Sequence, residues 1–306
     1  MTGPKIVMEL DPPRPWTETV ERGVDEHNVA ATGLPQYYPV GFFIKDPGSA
    51  VRGGLLGDIW GGWLHVGSLW VDRKWRGRGY ATGLMAAAEK YAIAKKCTNA
   101  FLQTGSYEAR PFYEQLGYRL FAELDDHPIE GHRRHFLSKS LAAGPSIRPK
   151  DVRGKIVMDA YPSVELQGPV RRGINLHAAA AFGLPEQAWS SVNFFLRSGD
   201  GEIVGGALGN SWGRWFYLAF MWVDTPLRGR GYATKLIGAA ERRAIANGCT
   251  DALLGTFSFQ ARPLYEKLGY QVFGELKDFP KGHSHYLLKK RLSRVRPNRR
   301  RSGVKQ

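Results

Sequence analysis

Apolar residues along the chain alternate between the two-residue period of strands and the spacing typical of helices. The pattern predicts a short strand at residues 5–10 and a helix that ends at Gly33-Leu34-Pro35. Two strand-like runs follow, "VGFFIK" and "VRGGLLGDI", and a third, "WLHVGSLWV", leads into a glycine-rich loop. The order of these elements favours a sheet whose first strands all precede the glycine-rich loop in the chain.

Behind the loop the apolar residues return at helical spacing, at Ala81, Leu84, Met85, Ala88 and Ala92. A strand at residues 100–104, a second helix near 108–116 and two final strands near 118–123 and 135–139 complete the series. Strands that alternate with helices, with a hairpin at the end, predict the α/β class with a mixed sheet.

The whole series occurs twice. "KIVM" begins at Lys5 and again at Lys155, and "YEQLGY" from Tyr113 returns as "YEKLGY" from Tyr265. A repeat this long indicates duplicated domains instead of a solenoid of short units. We expect one domain at residues 1–142, a linker at 143–154, a second domain at 155–293 and a basic, disordered tail at 294–306.

Composition is that of a globular protein, with 43% hydrophobic and 23% charged residues among 306. No run of 18 apolar residues predicts a membrane span, and the first residues do not resemble a secretion signal. Cys97 and Cys249 stand at equivalent places in the two copies, which is typical of buried thiols in a reducing compartment. We therefore expect a cytoplasmic protein without a metal site.

The positive charge is concentrated at the C-terminus. Nine of the basic residues and no acid follow position 288, which leaves +6 of the net charge of +15 on the rest of the chain. Such a tail is either a solvated extension or a contact for nucleic acid or acidic partners. The remaining charge still favours an anionic ligand.

The glycine-rich loop is the best candidate for a binding site. "VDRKWRGRGYAT" runs from Val71, and "VDTPLRGRGYAT" runs from Val223. Glycine permits a sharp turn and close approach of a ligand, and the start of a helix offers unpaired N–H groups to an anion. Four arginines add positive charge that can bind phosphate, at Arg76, Arg78, Arg228 and Arg230. The sequence therefore predicts two phosphate-binding loops.

Other interpretations of this loop fit less well. A plain glycine turn does not explain why the loop occurs twice at the same strand–helix junction. A dinucleotide-binding loop needs a third glycine where Thr82 and Thr234 stand, and a P-loop needs Gly-Lys followed by Ser or Thr.

Two motifs in this order resemble those of the GNAT superfamily of N-acetyltransferases. "RGRGYA" resembles the superfamily's Arg-x-x-Gly-x-Ala loop, and "SYEARPFYEQLGY" resembles a downstream signature that usually begins with asparagine. Serine stands at that position here, at Ser106 and Ser258, and its hydroxyl can cap the following helix or bond to a ligand. The resemblance covers both copies and implies tandem GNAT-type domains, each a mostly antiparallel twisted sheet flanked by helices.

The resemblance also implies a chemistry, the direct transfer of an acetyl group from acetyl-CoA to an amine. The strand before the loop would bind the pantetheine arm, and the helix start would bind the pyrophosphate. The residues that match in the first copy are Leu69, Trp70, Val71, Arg76, Gly77, Arg78, Gly79, Tyr80, Ala81 and Ser106. Those in the second copy are Met221, Trp222, Val223, Arg228, Gly229, Arg230, Gly231, Tyr232, Ala233 and Ser258.

The sequence offers fewer candidates for catalytic residues than for cofactor binding. Tyr113 and Tyr265 match the tyrosine that acts as general acid on the departing thiolate in this superfamily. His65, which shares the strand parity of Leu69 and Val71, is a candidate base, although the second copy has Tyr217 there. The remaining polar residues are expected to have structural roles: hairpin packing for His132, His283 and His285, and turn formation for Asp72 and Asp224.

The acceptor is left open as a primary amine of a small molecule or of a protein. A polycationic acceptor is disfavoured, because the chain is basic and few acids cluster near the expected cleft. Six tryptophans recur between the copies and are expected in the core or at an interface, with one or two of them lining the acceptor pocket: Trp60, Trp63, Trp70, Trp212, Trp215 and Trp222. The alternative function is a non-catalytic acyl-CoA-binding module whose tail docks on nucleic acid or the ribosome.

Overall fold

The computed structural model describes residues 3–35, 37–142, 156–183 and 189–292. The expected linker at 143–154 and the basic tail at 294–306 lie outside these residues. The first repeat contains β1 (Lys5–Met8), α1 (Arg14–Thr32), β2 (Tyr38–Lys45), β3 (Val51–Trp60), β4 (Trp63–Val71), α2 (Tyr80–Ala94), β5 (Asn99–Gly105), α3 (Arg110–Gln115), β6 (Arg119–Asp125) and β7 (Arg133–Ser140).

The second repeat has the same elements in the same order. They are β8 (Ile156–Ala160), α4 (Val164–Phe182), β9 (Trp189–Arg197), β10 (Ile203–Trp212), β11 (Trp215–Val223), α5 (Tyr232–Ala246), β12 (Asp251–Phe257), α6 (Arg262–Lys267), β13 (Gln271–Lys277) and β14 (Ser284–Arg291). The predicted α/β class and the repeat of its elements are confirmed.

Each repeat contributes its first strand to the other repeat's sheet. The two seven-stranded sheets have the orders β6-β7-β5-β4-β3-β2-β8 and β1-β9-β10-β11-β12-β14-β13. Strand β1 pairs antiparallel with β9 and β8 pairs antiparallel with β2. Only β4–β5 and β11–β12 are parallel among the described pairs, so both sheets are mostly antiparallel.

The first helix of each repeat also packs on the other repeat's sheet. Helix α1 packs on β10 and β11 of the second repeat, and α4 packs on β3 and β4 of the first. Glycine permits this close packing, since a Cβ on Gly23 of α1 would overlap the Trp222 indole and a Cβ on Gly173 of α4 would overlap Trp70. The boundaries 1–142 and 155–293 therefore describe repeats in the sequence, while each sheet in space is completed by the other repeat.

The opposite face of each sheet is covered by the helix that follows the glycine-rich loop. Leu84, Met85, Ala88 and Ala92 of α2 are buried against the first sheet, on the helix face that the sequence predicts. A buried ion pair joins this helix to β7, with Glu89 Oε2 2.7 Å from Lys139 Nζ. The second repeat has a partly buried pair at the equivalent place between α5 and β14, formed by Glu241 and Lys290.

Aromatic residues form the contact between the two halves. The Trp63 indole donates to the carbonyl oxygen of Asp278 (2.8 Å), and Trp215 donates to that of Asp126 (2.7 Å). Trp60 and Trp63 pack with residues of the second repeat, among them Phe257 and Phe279. The prediction that most tryptophans belong to the core or an interface is confirmed.

Cys97 and Cys249 are buried free thiols, and burial raises the pKa of each to about 11. They are unreactive packing residues at neutral pH, as expected. No helix in the described ranges combines the length and apolar character that crossing a bilayer requires.

The strand exchange predicts which cysteine pair will cross-link. Lys5 lies opposite Arg197, the last residue of β9. The equivalent last residue of β2 is Lys45. If the first repeat kept its own strand, Lys5 would therefore lie opposite Lys45. Because paired Cα positions are close enough for a disulfide, Lys5→Cys with Arg197→Cys should oxidise within one chain, as measured by intact mass and non-reducing electrophoresis.

Lys5→Cys with Lys45→Cys is the matched control. Preferential oxidation of this second pair would show that each repeat keeps its own strand. Oxidation of the first pair only between chains would show that the exchange is intermolecular.

Candidate active site

The central parallel strands of each sheet separate where the glycine-rich loop begins. Strand β4 pairs with β5 only over Trp63–Val66 and Asn99–Leu102, although β4 continues to Val71. In the second repeat β11 pairs with β12 from Trp215 to Leu218 and continues to Val223. The last residues of β4 and β11 therefore have backbone groups on this side that the neighbouring strand does not pair.

A β-bulge precedes the separation. In the β3–β4 ladder Leu56 lies opposite Ser68 and Gly57 opposite Val66, so Gly67 is the extra residue. The bulge reverses the parity of the strand, which places Leu69 and Val71 in the core under α2 while His65 lines a cavity beyond the opposite face. The prediction that His65 shares their parity is therefore wrong, because the pattern alone does not reveal the bulge.

The turn after β4 presents a row of free N–H groups. Asp72 Oδ1 accepts a hydrogen bond from Lys74 N (2.9 Å), and Gly77 and Gly79 adopt φ of 73° and 79° just before α2 begins. Within the described residues the N–H groups of positions 77–82 have no hydrogen-bond partner. Before α5, Gly229 and Gly231 adopt the same left-handed conformation, and Asp224 Oδ1 accepts a hydrogen bond from Thr225 N (2.8 Å). The turn roles of the two aspartates are confirmed.

One arginine of each loop contributes to the turn. Arg76 Nε donates to the carbonyl oxygen of Val71, and Arg228 Nε donates to that of Val223, each at 2.9 Å. These bonds tie the loop back to the end of the strand. Arg78 and Arg230 are exposed beside the free N–H groups. The first arginine of each loop therefore stabilises the turn in addition to bringing positive charge.

The two serines of the downstream motif do not cap a helix. Helix α3 begins after Ala109, and Ser106 Oγ instead accepts a hydrogen bond from Arg133 N (3.1 Å). Ser258 Oγ accepts from Ser284 N (3.2 Å) in the same way. The capping expected from the sequence is wrong, because each hydroxyl lies closer to the final hairpin than to the helix.

The two candidate acids are tyrosines on short helices, Tyr113 partly buried and Tyr265 buried. Tyr113 on α3 packs against the first core, and Tyr265 on α6 lies in the second core and lines the cavity. Burial raises the pKa of each hydroxyl well above its ordinary value. Both hydroxyls are therefore protonated at neutral pH and can serve as proton donors.

A cavity of about 1570 Å³ lies between the two halves. It reaches the second glycine-rich loop and Tyr265, and it is also lined by Asp58, His65 and Arg134 of the first repeat. Trp189, Trp212, Trp215 and Trp222 contribute aromatic walls. A small molecule in this cavity would contact residues of both repeats.

His65 forms a pair with Asp58 on the cavity wall. His65 Nδ1 is 2.9 Å from Asp58 Oδ2, and the imidazole stacks on Phe101 at a ring distance of 4.5 Å. In the second repeat Asn210 and Tyr217 take the places of Asp58 and His65. The two repeats thus differ at a position where a proton acceptor would be useful.

His285 lies on the same cavity wall and was expected only to pack the hairpin. Burial, and then the nearby His65, lower the pKa of His285 to about 4. Its Nδ1 has no hydrogen-bond partner among the described residues. A neutral imidazole therefore lines the cavity at physiological pH.

The cavity also contains acids that the sequence pattern did not place there. Glu21 and Asp25 of α1 line it because α1 has crossed to the second sheet. With Asp58 they make three acids beside four basic residues in the lining, so the expectation that few acids lie near the cleft is not contradicted. Grouped ligands for a metal ion are absent from the described parts of the chain.

Comparison with known proteins agrees with this geometry. The sequence profile of the acetyltransferase (GNAT) family matches residues 9–118 and 158–270, once in each repeat. Blasticidin-S acetyltransferase of Streptomyces morookaense is 37% identical over 93 residues, which are 30% of this chain and 68% of that protein.

Acetyltransferase Atu2258 of Agrobacterium fabrum is 30% identical over 136 residues, which are 44% of this chain and 98% of that protein. A crystal structure of an acetyltransferase from Bacillus cereus is 29% identical and covers 47% of this chain and 98% of its own, with a TM-score of 0.39. The chain thus belongs to the acetyltransferase (GNAT) family and is an N-acetyltransferase that carries the family's unit twice.

Proposed function

We propose that the chain transfers an acetyl group directly from acetyl-CoA to the primary amine of a small molecule, at two centres. The observation that carries this proposal is the row of unpartnered N–H groups at positions 77–82, beside two separated strands, with the same arrangement repeated at 229–234. Centre one is named here for the loop at 77–82 and centre two for the loop at 229–234.

The residues present fit the cofactor. Free N–H groups at a helix start bind phosphate oxygens, and the exposed Arg78 and Arg230 add positive charge. The unpaired backbone of Leu69–Val71, and of Met221–Val223, can hydrogen-bond to the amides of a pantetheine arm. The cofactor-binding residues expected from the sequence are proposed on this basis, while Ser106 and Ser258 already accept a backbone hydrogen bond.

Bound there, acetyl-CoA supplies the acetyl group: a C–N bond forms to the acceptor as the C–S bond breaks, and the thiol leaves with one proton. Tyr113 and Tyr265 are proposed to donate that proton, since burial keeps both hydroxyls protonated.

His65 is proposed to accept a proton from the acceptor amine. Its contact with Asp58 orients the ring, so that Nε2 is free to act as a base when Nδ1 carries the hydrogen. Because the second repeat has Tyr217 at this position, only the first repeat supplies such a base. The buried thiols Cys97 and Cys249 support the proposal that the enzyme works in the reducing cytoplasm.

Changing the second glycine of a loop should abolish cofactor binding at that centre. Gly79→Asp places a carboxylate at the N-cap, where it accepts hydrogen bonds from the free N–H groups and repels a diphosphate. Gly79→Asn is the matched control, because asparagine also tolerates the left-handed conformation but is neutral. We expect calorimetry with coenzyme A to give two sites per wild-type chain and one after Gly79→Asp.

Gly231→Asp should remove the other site, and the double variant should bind no coenzyme A. The aspartate should weaken binding at its own centre at least tenfold more than the asparagine does. Two undiminished sites in the double aspartate variant would contradict the proposed role of the helix starts.

Removal of the tyrosine hydroxyls tests the proton donors. Tyr113→Phe should lower kcat at centre one by roughly 10²- to 10⁴-fold, the usual range for a general acid, with little change in coenzyme A affinity. Tyr265→Phe should do the same at centre two. Thiol release is measured in single and double variants, with Tyr91→Phe as a control for loss of a partly buried hydroxyl elsewhere.

Equal thiol release from the wild type and the double tyrosine variant would remove both residues from the mechanism.

A further inference from the structure

We infer that the two centres select acceptors of different charge, and that centre two takes an amine with a second positive group. Glu21 and Asp25 of α1 would bind that second group. This inference rests on the proposed function and names the class of acceptor for one of its centres.

Helix α1 lies over centre two along its length. Gly23 packs against the indole of Trp222, at the end of the strand that leads to the second loop. Asn28 Oδ1 accepts a hydrogen bond of 2.7 Å from Gln260 Nε2, just before the helix that carries Tyr265. The helix segment between these contacts therefore spans from the cofactor strand to the proposed proton donor.

Asp25 lies in this segment, and Glu21 lies one helical turn before Asp25, two residues before Gly23. Both line the cavity that contains Tyr265. Neither forms an ion pair with any of the described residues, although Glu18 and Glu26 of the same helix pair with Arg14 and Arg22 on its solvent side. Basic residues also line the cavity, but none of them pairs with Glu21 or Asp25 in the described parts of the chain, so the two carboxylates favour a ligand that brings a cation.

The environment of the two carboxylates supports this interpretation. Burial, followed by the charge of Asp25, raises the pKa of Glu21, and burial raises the pKa of Asp25. Each carboxylate therefore has an unfavourable charged state in the free protein. The attraction of an ammonium or guanidinium group placed between them would offset both the desolvation cost and the mutual repulsion.

Centre one of the same chain provides a comparison for the two carboxylates at centre two. Helix α4 covers centre one as α1 covers centre two, with Gly173 against Trp70 in place of Gly23 against Trp222. The residues at the places of Glu21 and Asp25 are Arg171 and Asn175. Arg171 also lines the cavity, and it bonds only to the neutral Gln167 within the described residues. Two negative charges at one centre are thus replaced by one positive charge at the other.

Three amines of equal chain length test this inference: 1,5-diaminopentane, 5-amino-1-pentanol and 5-aminopentanoate carry a positive, a neutral and a negative far end. Gly79→Asp leaves only centre two with a free loop, and Gly231→Asp leaves only centre one. At centre two we expect kcat/KM to be at least 100-fold higher for the diamine than for aminopentanoate. At centre one we expect aminopentanoate to equal or exceed the diamine.

Glu21→Gln with Asp25→Asn, in the Gly79→Asp background, should lower kcat/KM for the diamine at least tenfold and leave the amino alcohol within about threefold. Glu18→Gln with Glu26→Gln removes the same charge from the same helix outside the cavity and should leave the preference unchanged. Calorimetry of each amine with protein loaded with coenzyme A gives the same ranking where turnover is slow.

The inference is overturned if both centres rank the three amines alike, if the control pair shifts the preference as much as the cavity pair, or if no amine binds. The proposed function is tested separately, by coenzyme A binding at the loops. Two coenzyme A sites without charge selectivity would overturn the inference alone.

Discussion

The antiparallel pairing of each repeat's first strand with the other repeat's sheet is the constraint on which both centres depend. Because β1 hydrogen-bonds to β9 and β8 to β2, the helices that follow are carried across the molecule. Each centre consequently combines a loop from one repeat with a covering helix from the other. A duplicated enzyme of this kind is one folding unit, since neither sheet is complete without both halves of the chain.

The exchange also explains how one chain can combine the same loop with different cavity-facing residues at its two centres. The two loops keep the same sequence because both must present backbone N–H groups at the start of a helix. The covering helices share only one requirement, a glycine where the helix packs on a tryptophan. Their cavity-facing residues can therefore diverge, as Glu21 and Arg171 have done.

Much of the fold and of the loop geometry at the candidate site could be predicted from the sequence, because these features are encoded locally. The repeat, the element order, the buried face of α2 and the glycine turns at Gly77 and Gly79 follow from residue spacing and from backbone conformation. The strand exchange could not be predicted, since the two "KIVM" strands are alike and either pairing satisfies the same hydrogen bonds.

The features of the site that the sequence did not predict have the same origin. One extra residue, Gly67, moves His65 to the other face of the sheet, and nothing in the alternation of apolar residues marks it. The acids Glu21 and Asp25 are ordinary surface residues in the helical pattern and reach the cavity only because α1 crosses over. Their positions depend on the long-range topology of the chain, which the local residue pattern of a single sequence does not reveal.

The central claim is that unpartnered amides at two helix starts bind the diphosphate of coenzyme A. Hydrogen–deuterium exchange of the full chain, with and without coenzyme A, tests it most directly, because exposed amides without a partner exchange fast. The account predicts fast exchange at positions 77–82 and 229–234 in the free protein and strong protection of both stretches on binding. Unchanged exchange at both stretches, with coenzyme A bound at saturation, would contradict it.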